Sequence, residues 1–325
     1  MRRREFLLSA GCAAAWSVGA SAQQAKPVIG FLSSRSQKDS ARHLAAFHHG
    51  LSALGFVEGQ NVVVEYRWAD GRYEQLRPLA AELVARQITL LVATGGNVSG
   101  VAARAETATT PIVFIVGEDP VKLGLVASLN SPGGNATGVS VFTTELAGKR
   151  LQLLDELAPR ASPVGLLVNP KYPGSAPEIA AVREAAMGVG RSIAVAEAST
   201  EGEIDVAFST LAGQQVKALV VGADALFVSS RNQIVALARR HTMLSIFDLR
   251  DYAEAGGLIS YGTNLAEMYR QVGVYAGRIL RGVAPKQLPV EQPTKIELVI
   301  NLKAAKALGV TIPSSLFARA DEVIE

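Results

Sequence analysis

From residue 27 onward, short apolar, β-branched runs alternate with stretches in which apolar positions recur every three or four residues. Each run ends in small or polar residues before the next helical stretch begins, the order expected of βαβ units around parallel sheets. Residues 27–33 (PVIGFLS), 61–67, 88–93, 111–116 and 136–140 read as strands, the last preceded by the turn Ser131-Pro132-Gly133-Gly134. Between them, 43–54 reads as a helix with Leu44, Phe47, Leu51 and Leu54 on one face, ended by Gly55. A second helix is predicted over 73–86, and a third starts at Val98.

The pattern then restarts. Helices are predicted over 144–157, 177–188 and 230–241, with another opened by the capping box of Thr200 and Glu203; strands fall at 163–169, 192–197, 217–221 and 244–247. A strand at 257–261 runs into a helix capped at Asn264 and continuing to Arg281. A stretch rich in breakers, 282–293, leads to a strand over 295–300 and a helix over 302–308. Two similar halves of small-domain size predict an α/β chain with two doubly wound sheets rather than one. The late segments suit a chain that crosses a hinge several times.

The first residues change the picture. Arg2, Arg3 and Arg4 precede an apolar stretch from 6 to 20, followed by Ala20-Ser21-Ala22, which is the layout of a secretory signal over residues 1–22. Arg3-Arg4-Glu5-Phe6-Leu7 fits the twin-arginine pattern of proteins exported folded. The apolar run is too short to span a bilayer. Cleavage there removes Cys12, the one cysteine, so thiol ligands, disulfides and Cys nucleophiles are not expected in the mature chain. Lipidation at Cys12 is the lesser alternative. Three arginines and one glutamate leave with the leader, so the formal charge falls from +3 to +1, and nothing points to nucleic acid.

Open parallel sheets bind ligands beyond the carboxyl ends of their strands. Those ends read Ser33-Ser34-Arg35, Thr94-Gly95-Gly96-Asn97, Gly117-Glu118-Asp119-Pro120, Asn169-Pro170, Gly222-Ala223-Asp224, Phe247-Asp248 and Ser260-Tyr261-Gly262. Small residues there let backbone amides approach an anion while an acid meets a cation. Each has a second reading: Asp119 before Pro120 suits a helix cap, Asp224 serves as cap or contact, and Gly95-Gly96 as turn or cradle. Phe247 and Tyr261 read as core or as pocket wall. Dinucleotide and P-loop glycine motifs and a nucleophile elbow are absent, His43, His48, His49 and His241 form no metal pair, and no cofactor is called for.

Residues 50–68 (GLSALGFVEGQNVVVEYRW), 114–140, 256–262 (GGLISYG) and 293–309 together resemble the ABC transporter substrate-binding proteins of the tryptophan/tyrosine-binding-like family, over nearly the whole mature chain. The resemblance implies the type I periplasmic-binding fold, with lobe 1 at 27–142 plus 264–288 and lobe 2 at 143–263 plus 289–325. It implies a monomeric periplasmic protein that closes on a small amino acid or related carboxylate and meets a membrane ABC permease. The site residues it implies are Ser33, Ser34, Thr94, Gly95, Gly96 and Asp119 from one lobe, with Ser140, Asn169 and Asp224; Phe247 and Tyr261 complete the candidates. The anion would rest on Thr94, the glycine amides and a serine hydroxyl, with Asp224 meeting an ammonium. Relatives that bind aromatic amino acids carry an Asp-Asn pair where this chain has Asp224-Ala225. A ligand-sensing module for a membrane receptor, and an exported carboxylate-dependent enzyme, are the rival functions.

Overall fold

The computed structural model describes residues 26–159 and 161–325; the expected leader and Cys12 lie outside them. Five strands, β1 Val28–Ser33, β2 Val63–Trp68, β3 Leu90–Thr94, β4 Ile112–Val116 and β5 Ala136–Ser140, make an all-parallel sheet in the order β2-β1-β3-β4-β5. Helices α1 Ala41–Ser52, α2 Leu76–Ala85 and α3 Asn97–Glu106 connect its first four strands. Every residue of β3, β4 and β5 is buried, as a parallel sheet covered on both faces requires.

The second sheet is built from β6 Val164–Val168, β7 Ile193–Glu197, β8 Ala218–Val221, β9 Leu244–Phe247, β10 Ile259–Thr263, β11 Ile296–Asn301 and β12 Glu322–Ile324, in the order β12-β11-β10-β9-β8-β6-β7. Helices α4 Ala147–Leu157, α5 Ser175–Gly188, α6 Glu201–Gly213, α7 Ala225–Ser229, α8 Arg231–Arg240 and α9 Arg250–Glu254 connect it. Thr200 caps the helix as expected, its hydroxyl accepting from the Glu203 amide at 3.3 Å, but the Glu203 carboxylate reaches back to the Ser199 amide at 2.6 Å rather than to Thr200 as a full capping box would. Sequence patterning does not anticipate α7, α9 or β12, because each is shorter than two helical turns or a full strand.

The next helix, α10 Leu265–Leu280, follows β10 but lies against the first sheet, packed on α1 so closely that the backbones nearly touch. A Cβ on Gly50 would sit 1.9 Å from the Arg270 carbonyl oxygen, and one on Gly273 would sit 2.1 Å from that of Phe47. The chain then returns past β5, where Glu291 bridges Val139 and its carbonyl accepts from the Ser140 amide at 2.9 Å. Because this return starts from the hinge, where β10 ended, β11 must run away from it. It pairs antiparallel with β10, a departure from the all-parallel sheet predicted. Helices α11 Leu302–Ala307 and α12 Ser314–Phe317 and strand β12 complete the second unit. The hinge crossings are tied by the Thr263 hydroxyl, which donates to the Val141 carbonyl at 3.0 Å.

Gly50→Ala is expected to lower the unfolding free energy by about 2–3 kcal/mol, because neither helix backbone can yield to the added methyl. Gly188→Ala, where a Cβ meets nothing within 4 Å, is expected to be neutral or stabilising. Urea denaturation of the two variants against the parent checks both.

Candidate functional site

β1 and β3 end side by side, with Ser33 opposite Thr94, so their terminal turns share one edge of the sheet. The serines are spent on those turns: Ser34 Oγ donates to the Gly95 carbonyl at 2.6 Å, and the Arg35 amide donates to Ser33 Oγ at 3.2 Å. Gly95 (φ +88°) and Gly96 (φ +116°) adopt backbone conformations costly for other residues, and a Cβ on Gly95 would lie 2.5 Å from Ser34 Oγ. A Cβ on Gly96 would lie 3.4 Å from the hydroxyl of Tyr172, which belongs to the opposite lobe. Asn97 fixes the neighbouring turn, its Oδ1 accepting from the Gly117 amide at 2.8 Å and its Nδ2 donating to Glu118 Oε1 at 2.5 Å.

From this edge Arg35 enters the space between the lobes. Its side chain is buried, yet Nε and Nη1 have no hydrogen-bond partner. The hydroxyls of Thr94 and Tyr269 approach each other without forming a proper hydrogen bond. His43 stacks on Tyr269 with ring centroids 5.0 Å apart. Burial, with the Arg35 charge adding to it, pushes the His43 pKa down to about 4, so the ring is neutral near pH 7 and Arg35 holds the positive charge.

The second lobe answers with acids. Asp224 caps α7, its Oδ1 accepting from the Leu226 amide at 2.9 Å, while Asn169 Nδ2 donates to both of its oxygens at 3.2 Å. Across the cleft, the Tyr73 hydroxyl of the first lobe donates to Asp224 Oδ2 and accepts from the Ala225 amide at 3.3 Å. Burial raises the Asp224 pKa above the usual carboxylate range, against the pull of these donors. Asp248, just past β9, is also buried, and its Oδ1 has no partner. Burial raises its pKa too, with Arg150 and Arg35 acting in the opposite sense. Arg150 is wholly buried and pairs with Glu178 at 3.0 Å; Glu178 in turn accepts from the Ala223 amide at 3.0 Å.

These groups surround a cavity of about 70 Å³ walled by both lobes. Two further ion pairs join the lobes outside it, Arg231 with Asp39 and Arg42 with Glu254, each at 2.7 Å. Of the residues singled out from sequence, the wall contains Gly95, Gly96 and Asp224. Asn169 braces Asp224, while Ser33, Ser34 and Thr94 lie behind the turns. Ser140 sits at the hinge beside Glu291, and Asp119 accepts from the Val121 amide at 2.9 Å in a turn outside the wall. Phe247 is core, stacked on Tyr252 with centroids 4.5 Å apart, and Tyr261 packs with the second-lobe core. The wall also holds Arg35, Asp248, Tyr172 and Tyr269, none of which was singled out. The available signal was a charge placed directly after an apolar strand, in Ser33-Ser34-Arg35 and Phe247-Asp248.

Among the described residues, no helix is long and apolar enough to cross a membrane, and no group of three or more acidic, His or Cys side chains could hold a metal. The buried neutral His43 gives a signed pH dependence. Below its ordinary pKa near 6.5 the unfolded chain takes up a proton that the folded chain refuses, so stability is full above that value and falls as pH drops toward 4. At pH 5 the loss is expected to be about 2 kcal/mol relative to His43→Gln, measured as the difference between the two proteins' denaturation curves from pH 7 to 5. A pH-independent difference would contradict it.

Comparison with known proteins agrees with this architecture. A tyrosine-binding protein from Clostridioides difficile (strain R20291) is 27% identical over 262 residues, covering 81% of this chain and 75% of that protein. The crystal structure of a conserved domain protein from Vibrio cholerae superposes with a TM-score of 0.84 at 25% identity, covering 92% of this chain and 99% of that one. A ligand-free, open substrate-binding protein from Clostridium difficile, 26% identical with 92% and 99% coverage, scores 0.65. An ABC domain from Streptococcus pneumoniae in complex with L-Trp scores 0.82 at 23% identity, with 92% and 100% coverage, and shares the fold. A profile of the family described as ABC transporter substrate binding protein matches residues 28–324, and the chain belongs to that family.

Proposed function

We propose that this chain is the exported, monomeric solute-binding component of an ABC importer, capturing an amino acid or related carboxylate by closure of its two lobes. The observation that carries the reading is the cavity wall shared by both lobes and clasped by Tyr73 on Asp224. Closure removes the enclosed groups from water, which strengthens their interactions with a bound charge. The permease then meets one surface formed by both lobes, and release follows reopening. The arginine-rich apolar leader supports delivery to the periplasm. Amino acids are favoured as the ligand class because a relative 27% identical to this chain is a tyrosine-binding protein. The lower likeness to an open relative of equal similarity supports a closed arrangement here.

In a thermal-shift screen of amino acids and small carboxylates, the ligands are expected to raise the unfolding midpoint, with about 2.7 kcal/mol of stabilisation at one hundred times Kd. For a ligand found this way, Tyr73→Phe is expected to weaken binding about 10-fold or more by calorimetry, since the deleted hydrogen bond goes to a carboxylate. No response to any compound in the screen, or an unchanged affinity in Tyr73→Phe, would contradict the reading.

A further inference from the structure

Resting on the reading above, we propose that Arg35 and Asp248 hold the two ends of a zwitterion, and that the ligand is a small aliphatic amino acid. The two residues come from opposite lobes, at the ends of β1 and β9, and line the same cavity. Both are buried, and both keep polar atoms without partners: Nε and Nη1 of Arg35, and Oδ1 of Asp248. Leaving a guanidinium and a carboxylate buried and unsatisfied is strongly unfavourable, so their facing arrangement marks a place where a ligand completes the hydrogen bonding.

Most of the other charges nearby are engaged, although Arg150, beside Asp248 in the second lobe, keeps Nε and Nη1 unpartnered as well. Asp224 receives Tyr73, Asn169 and the Leu226 amide, and Glu178 receives Arg150 and the Ala223 amide. Asp248 is therefore the acid left to meet an ammonium. His43 is neutral and Arg150 is held by Glu178 within the second lobe, so Arg35 is the first lobe's cation for a carboxylate, with the unpartnered hydroxyl of Tyr269 on the same side. The ligand's carboxylate thus points to the first lobe and its ammonium to the second, and the zwitterion itself draws the lobes together.

The rest of the wall sets the body of the ligand. Val116, Val141, Val228, Leu249 and Leu265 surround it. The two tyrosine rings of the wall are already in contact with other rings: Tyr269 stacks on His43, and Tyr172 packs against Tyr73 with centroids 5.8 Å apart. One face of the Tyr269 ring is therefore already taken. This part of the wall is built from branched aliphatic side chains, which suits an aliphatic ligand body.

The test uses the full-length mature protein, with calorimetry on L-alanine, L-valine, L-leucine, L-tyrosine and L-tryptophan and on the desamino and decarboxy analogues of the aliphatic members. One of the aliphatic amino acids is expected to bind at least about 10-fold tighter than either aromatic one. Loss of its carboxylate or its amine is expected to weaken binding about 10- to 100-fold. Arg35→Gln should impose a similar loss on the amino acid and none on its decarboxy amine, while Asp248→Asn should spare the desamino acid. Circular dichroism of the ligand-free variants reports their folding, and the analogue series on the parent protein decides the matter should either variant fail to fold. Equal binding of the desamino or decarboxy analogue, or tighter binding of an aromatic amino acid, would overturn this assignment and leave the proposed function standing. Binding of no compound would overturn both.

Discussion

A carboxylate buried between two separately folded lobes stays there only if donors reach it from both sides. Asp224 meets that condition. Its own lobe supplies Asn169 and the α7 amide, and the other lobe supplies the Tyr73 hydroxyl. Desolvation works against the ionised acid, and the donors work against desolvation, so the contact between the lobes here depends on keeping that phenol in place. The Gly95-Gly96 turn faces the same contact from the opposite direction, where a Cβ on Gly96 would lie 3.4 Å from the Tyr172 hydroxyl.

The electrostatics of the cavity divide by lobe. The first contributes a lone cation, Arg35, beside a histidine whose burial keeps it neutral. The second contributes three acids and a cation: Asp224 is tied up by hydrogen bonds, Glu178 is paired with Arg150, whose Nε and Nη1 stay unpartnered, and Asp248 has an oxygen left open. Separated charges of opposite sign on two facing walls have a simple consequence. A molecule bearing both complementary charges bridges the walls, whereas a molecule with one charge leaves a buried group unsatisfied on the other side.

Much of the fold was legible in the sequence because parallel strands covered on both faces are largely apolar, and β1, β3, β4 and β6 are nearly continuously so. The antiparallel β11 was not legible, since its direction follows from where α10 packs, and that depends on the contact of Gly50 and Gly273 with a distant helix. At the site, the glycine turn and Asp224 were readable from residue type and position. Arg35 and Asp248 were not singled out, because a charge after a strand gives no local sign of whether it will be solvated or enclosed. Phe247 and Tyr261 carried the converse ambiguity: Phe247 lies in the core, and Tyr261, half-buried, packs against it.

The most direct measurement is mass spectrometry of whatever is released when gently purified protein is denatured. The account predicts a single small molecule, near one per chain, that carries both a carboxylate and an amine. Release of a neutral sugar or another uncharged compound in that proportion would contradict it, as would protein that leaves purification empty and takes up no amino acid afterwards.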